Sequence, residues 1–260
     1  MDKFEQNRLN IKNLKNMNLK TTLLLSAGIT AIGFNALATT YLGNGSSAWN
    51  GAIGLGSLTL TDDGTTLSGS LTTGGGLGGN AFVLYLQTAG GGFSTTSGFN
   101  DNGDQLRSAL SQYGGVGSQS ILNFSSGFAP NYAISLQPDS GINFGGIWQL
   151  ANGGANSQIF DTSINLTPTG SDAAGTYNFS FNLSSIGITA GQSFELFGIQ
   201  VSATGYSSPE ALGGTLSGAN GYGGTQTELA FSTYTTVPEP STIMMGASGL
   251  ATLLLLRRRR

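Results

Sequence analysis

The densest cluster of oxygen donors in this 260-residue chain is Asp101-Asn102-Gly103-Asp104. Calcium takes about six to eight oxygens from carboxylates, amides and carbonyls. Asp101, Asn102 and Asp104 can supply three from one turn. The spacing does not complete an EF-hand loop, and no bidentate Glu stands at the required distance. The simpler reading is an Asx turn leading into a helix capped by Asp104. Asp62-Asp63-Gly64 poses the same choice, with the stronger claim to a hairpin turn. Arg107 can clamp a ligand carboxylate or a sugar acid, or pair with Asp104 three residues earlier on one helix face. Trp49 and Tyr41, near the start of the mature body, are the aromatic residues expected to be exposed and able to stack on sugar rings. Trp148 sits inside a strand-like run and is expected in the core.

Other chemistries are excluded by composition. The chain has no cysteine and no histidine. It therefore has no thiolate zinc site, no disulfide framework and no cysteine nucleophile. The Ser-His-Asp relay cannot be assembled. A carboxylate-only glycosidase remains, needing two acids about 5–10 Å apart across the sugar. Glu195, Glu210 and Glu228 are candidates, and Glu195 lies in an apolar strand between Phe194 and Leu196. Alternation in a strand places Glu195 outward without any chemistry. The chain is accordingly expected not to be an enzyme and to need no cofactor, calcium being the one ion its residues suggest.

Charge divides the chain into three. Of the ten cations, nine lie in the first 20 or last four residues. Between Thr39 and Val237 one cation, Arg107, stands among ten acids, a net charge of −9. Such a body repels phosphate backbones, so nucleic acid is not an expected partner. At the N-terminus, Lys20 precedes an apolar run ending at Phe34, and Ala36 and Ala38 set small residues before a cut after Ala38. This is the order of a secretory signal. Met1 makes a long leader, and Met17 would make a shorter one. At the C-terminus, Pro238-Glu239-Pro240 is held extended by its prolines. Ser241 to Leu256 is uncharged, about 24 Å long as a helix and near the lower limit for a span. Arg257, Arg258, Arg259 and Arg260 then stop transfer on the cytoplasmic side.

This tripartite tail resembles the PEP-CTERM sorting signal of Gram-negative bacteria. The resemblance implies an inner-membrane exosortase, a cysteine transpeptidase-like protease, that cuts near the motif. It implies the secretion machinery and, before processing, the inner membrane as further partners. The destination it implies is the cell surface or an exopolysaccharide matrix, as in biofilm-forming bacteria.

Residues 39–237 between these signals read as one domain. Leu58 and Leu60 alternate with threonines, Asp62-Asp63-Gly64-Thr65 turns the chain, and Leu67 and Leu71 continue, which reads as a hairpin. Phe82 to Leu86 is apolar on both faces. Further strands are expected over 120–124, 132–136, 146–150, 158–166, 176–183, 194–201 and 227–234. Glycine-rich turns every ten or so residues point to an all-β antiparallel sandwich or jelly roll. Two short helices are expected. One carries Leu106, Ala109, Leu110 and Tyr113 and ends at Gly114. The other is a single turn at Ser208-Pro209-Glu210-Ala211-Leu212, with Pro209 first. The segments Val83 to Leu86, Gly90 to Phe93, Asp101 to Leu110, Phe128 to Ile134 and Ile147 to Leu150 resemble, in order, a carbohydrate-binding-like β-sandwich of bacterial surface proteins. That resemblance implies a carbohydrate ligand, such as an exopolysaccharide, and transfers no site residues; with the Asp101 cluster it makes a calcium-assisted carbohydrate-binding module the alternative reading.

Overall fold

The computed structural model describes residues 37–238, apart from 89, 140–141, 152–157, 166 and 169–172. Ala36, Glu239, Pro240 and Arg257 to Arg260 lie outside the described residues, as do both signal segments. Ala36–Pro238 is one compact unit. Among the described residues no helix is long and apolar enough to cross a membrane.

Period-two alternation becomes strands almost throughout. The first are β1 (Thr39–Leu42), β2 (Ser57–Asp62), β3 (Thr66–Thr72) and β4 (Ala81–Gln87). Helix α1 (Gln105–Ser111) follows, then β5 (Tyr113–Gly115), β6 (Ser118–Gln119) and β7 (Ile121–Asn123). Next are β8 (Tyr132–Asp139), β9 (Ile142–Leu150), β10 (Gln158–Asn165), β11 (Thr167–Pro168) and β12 (Thr176–Asn182). The last are β13 (Ser193–Val201), β14 (Ser207–Leu212), β15 (Thr215–Gly218), β16 (Thr225–Ala230) and β17 (Ser232–Thr235).

Two antiparallel sheets make the sandwich. The smaller runs β1-β2-β3-β12-β11, and the larger runs β10-β9-β8-β4-β13-β14. Strand β17 joins the larger sheet along β13, pairing Ser193 with Thr235 and Phe194 with Tyr234. Leu58, Leu60, Leu67 and Leu71 meet Phe82, Leu84, Phe194 and Leu196 in the inter-sheet core. The larger sheet buries its second face too. Val83, Tyr85, Phe197 and Trp148 pack there with Leu106 and Leu110 of α1, Phe124 and Phe128. This double burial is why Phe82 to Leu86 carries no polar face. Two glycines serve packing rather than turning. Gly69 lies opposite Phe179 across the β3–β12 pair, and a Cβ there would overlap the Phe179 ring. Gly146 makes room for Trp148 in the same way.

Three expectations are corrected. Ser208 to Leu212 is not a helical turn but part of β14, paired with β13 through Gly198–Leu212 and Ile199–Ala211. Pro209 is tolerated because β14 lies at the sheet's edge. Residues 227–234 are not one strand: the chain leaves β16 at Ala230 and enters a different sheet as β17. The helix does end early. Gln112, not Gly114, takes the left-handed position, at φ 52°. Its side-chain Oε1 accepts from Ser120 Oγ at 3.2 Å inside the core, and that tertiary bond outweighs the preference for glycine.

Candidate functional site

The exit of the chain from the folded body is built around Asp62, at the end of β2. Asp62 is 3% exposed. Its Oδ1 accepts from the amides of Gly64 and Val237, each at 2.9 Å. Its Oδ2 accepts from the Tyr234 hydroxyl at 2.7 Å and sits 3.2 Å from the same Val237 amide. Tyr234 is buried against Phe194, with ring centroids 5.4 Å apart. Burial, with Asp62 beside it, pushes the Tyr234 phenol well above its ordinary pKa of 10.0. Thr236 donates its hydroxyl to the carbonyls of Thr189 and Gln192. Its amide donates to Gln192, and the Val237 carbonyl accepts from Gly191. Every main-chain group from Tyr234 to Val237 named here is thus engaged, and Pro238 follows exposed.

Tyr41 belongs to this region rather than to a sugar platform. It is 7% exposed, and its hydroxyl donates to the Thr233 carbonyl at 2.9 Å. The expectation of an exposed Tyr41 fails because β1 pairs with β2 and turns this ring into the inter-sheet core. Burial pushes its pKa up to about 12. Trp49 is half-buried in the loop before β2. Trp148 lies in the core, as its strand setting implied.

The Asp101 cluster is directed at its own chain. Asp101 is fully buried, and its Oδ1 accepts from the Gly103 amide at 3.0 Å. Its Oδ2 lies 3.7 Å from Arg107. Asp104 caps α1 by accepting from the Arg107 amide at 2.8 Å, and its Oδ2 takes Arg107 Nε at 2.8 Å. Arg107 is therefore held by two carboxylates, which raise its pKa. Asn102 is exposed. Among the described residues no three acids gather to hold a metal ion.

Among the described residues two glutamates are completely buried, and the sequence does not reveal the role of either. Glu210 on β14 accepts four amides: Trp49 and Gly51 on Oε1, Ile53 and Gly54 on Oε2, at 2.7–3.1 Å. It organises the loop between β1 and β2. Its only sequence signal is an acid standing alone between Glu195 and Glu228. Glu228 on β16 holds Ser125 through its amide and hydroxyl, both on Oε2. Glu195 is half-buried on β13.

Two open surfaces stand out among the described residues. A cleft of about 420 Å³ lies on the smaller sheet, lined by Thr59, Thr61, Ser68, Ser70, Asn178 and Ser180, with Gly69 and Phe179 between them. The lining is uncharged, and six of its eight residues offer a hydroxyl or amide. Elsewhere Tyr222, 65% exposed, stands 3.9 Å from Tyr206 between ring centroids. Its glycine-rich loop, Gly221 to Gly224, is the signal that would have marked it.

Residues 236–260 match the family described as the PEP-CTERM protein-sorting motif. The matched segment begins at Thr236, inside the network around Asp62, and contains Pro238-Glu239-Pro240 and the four arginines. Comparison with curated proteins and with solved structures gives no match. The chain thus carries the signal of an exported protein that exosortase processes after membrane-anchored sorting.

Proposed function

We propose that this is a non-catalytic surface or exopolysaccharide-matrix protein of a Gram-negative bacterium. In this reading the N-terminal signal is removed after Ala38. Residues 241–256 hold the protein in the inner membrane, with Arg257 to Arg260 on the cytoplasmic side. Exosortase cuts near Pro238-Glu239-Pro240 and the β-sandwich is delivered outside. The observation that carries this is the match over 236–260, which starts where the sandwich closes. The non-catalytic part draws support from Glu210 and Glu228, the most buried glutamates, which bind amides and a serine of their own chain. Replacing Pro238, Glu239 and Pro240 together by alanine should leave an untrimmed, membrane-bound form on immunoblots of fractionated cells. Normal trimming and release of that variant would defeat the reading.

A second reading is carbohydrate binding by the body. The neutral cleft of hydroxyls and amides on the smaller sheet favours it, because sugars are bound by such groups and this body otherwise carries −9. Tyr222 supplies the exposed ring that Tyr41 does not. Co-sedimentation with host exopolysaccharide should weaken on Ser70→Lys if the sheet is the platform, and on Tyr222→Ala if the loop is. A chelator arm tests whether calcium assists. No binding to any host polysaccharide would end this reading.

A further inference from the structure

Proteases take their substrates as extended chain, with main-chain groups free to pair with the enzyme. That requirement makes the network around Asp62 informative. From Tyr234 to Val237 no such chain is available. Strand β17 is paired with β13, Tyr234 is 1% exposed, and the Thr236 and Val237 amides are donated to Gln192 and Asp62. Five residues, Pro238 to Thr242, separate Val237 from the apolar run that starts at Ile243. The clasp that makes this boundary joins the turn after β2 to the end of the domain, 175 residues apart.

We propose that Asp62, with Tyr234, clasps the end of the folded body at Val237 and so sets the upstream limit of exosortase processing, leaving Pro238 as the first residue the enzyme can engage. Asp62 is here a positioning residue: it touches the outgoing chain, not the bond that is cut. The inference rests on the exosortase reading. The clasp also supplies a check on folding. Asp62 reaches Val237 only when β2 and β17 are in place, so a body that has not closed presents a longer free segment.

The test uses the full-length protein in an exosortase-bearing host, with intact-mass measurement of the trimmed form. The wild type should give C-termini at Pro238 or beyond. Asp62→Ala should add ends at Val237 or earlier, and Asp62→Asn should largely restore the wild-type pattern. An asparagine keeps an oxygen for Gly64 and Val237 and can donate to the Tyr234 oxygen. Tyr234→Phe, which keeps the ring in the core, should give an intermediate pattern even if Asp62→Ala fails to fold. In hydrogen exchange on the trimmed protein, the Val237 amide of Tyr234→Phe should exchange at least about tenfold faster than in wild type. A wild-type end at or before Val237, or unchanged termini and exchange in Tyr234→Phe, would overturn the clasp. No trimming of the wild type at all would instead defeat the exosortase reading on which it stands.

Discussion

Asp62-Asp63-Gly64 and Asp101-Asn102-Gly103-Asp104 are built alike at short range. In each, the first aspartate is buried and its Oδ1 accepts the amide of the glycine two residues on, at 2.9 and 3.0 Å. In each, a second aspartate then takes amides of the following residues: Thr65 and Thr66 for Asp63, Arg107 for Asp104. They differ in where the first aspartate's second oxygen goes. At Asp62 it reaches Tyr234, 172 residues away. At Asp101 it faces Arg107, on the helix the turn itself begins. One turn therefore holds two ends of the domain together, and the other starts a helix. The same motif acquires its role from what the fold brings to its far side.

The sharpest way to break this comparison is to truncate both aspartates. Asp62→Ala strands a buried hydroxyl and a part-buried amide and should cost about 3–5 kcal/mol of stability in urea unfolding. Asp101→Ala should cost about 1–2 kcal/mol, because the Gly103 amide can turn to water and Asp104 keeps Arg107. Equal losses would mean that the distant partners of Asp62 add nothing.

Alkaline titration should separate the two regions next. Tyr41 and Tyr234 at the exit both have raised pKa values, so the folded state keeps their protons while the unfolded chain loses them near pH 10. Their contribution is complete below pH 10 and declines as pH rises toward about 12, the Tyr41 value. Amide exchange near Val237 should accelerate over that range, with Gly103 unaffected, since Arg107 stays charged. Simultaneous loosening of both would contradict the assignment.

The smallest effect is expected at the exposed pair beside the second turn. Arg107→Gln should change stability by less than about 1 kcal/mol and lose most of that difference in high salt. A larger, salt-insensitive loss would show that Arg107 holds more than its own helix. Asp104→Ala should cost about 1 kcal/mol through the lost cap.

Several of these features were open to a reader of the residues. Alternation located the hairpin around Asp62, the strand 176–183 and the doubly buried Phe82 to Leu86, since a two-residue period assigns faces without knowing neighbours. Asp104 as helix cap and its pairing with Arg107 needed only a three-residue spacing. Ser208 to Leu212 could not be read this way. Pro-Glu-Ala-Leu suits a helix start locally, and only pairing with β13 and the four amides around Glu210 hold it extended. Tyr41 failed for a related reason. A position near a terminus suggests exposure, but β1 is secured as an edge strand whose ring enters the core.

The all-β class, the charge division and the sorting signal at 238–260 were legible in the residues alone. These depend on composition, short periods and linear order, which survive without a fold. Only the folded chain shows which carboxylates serve turns, which loop Glu210 holds, and that Asp62 fastens Val237, just before Pro238. Those are contacts between residues far apart in the chain, and local chemistry is the same whether or not the distant partner arrives.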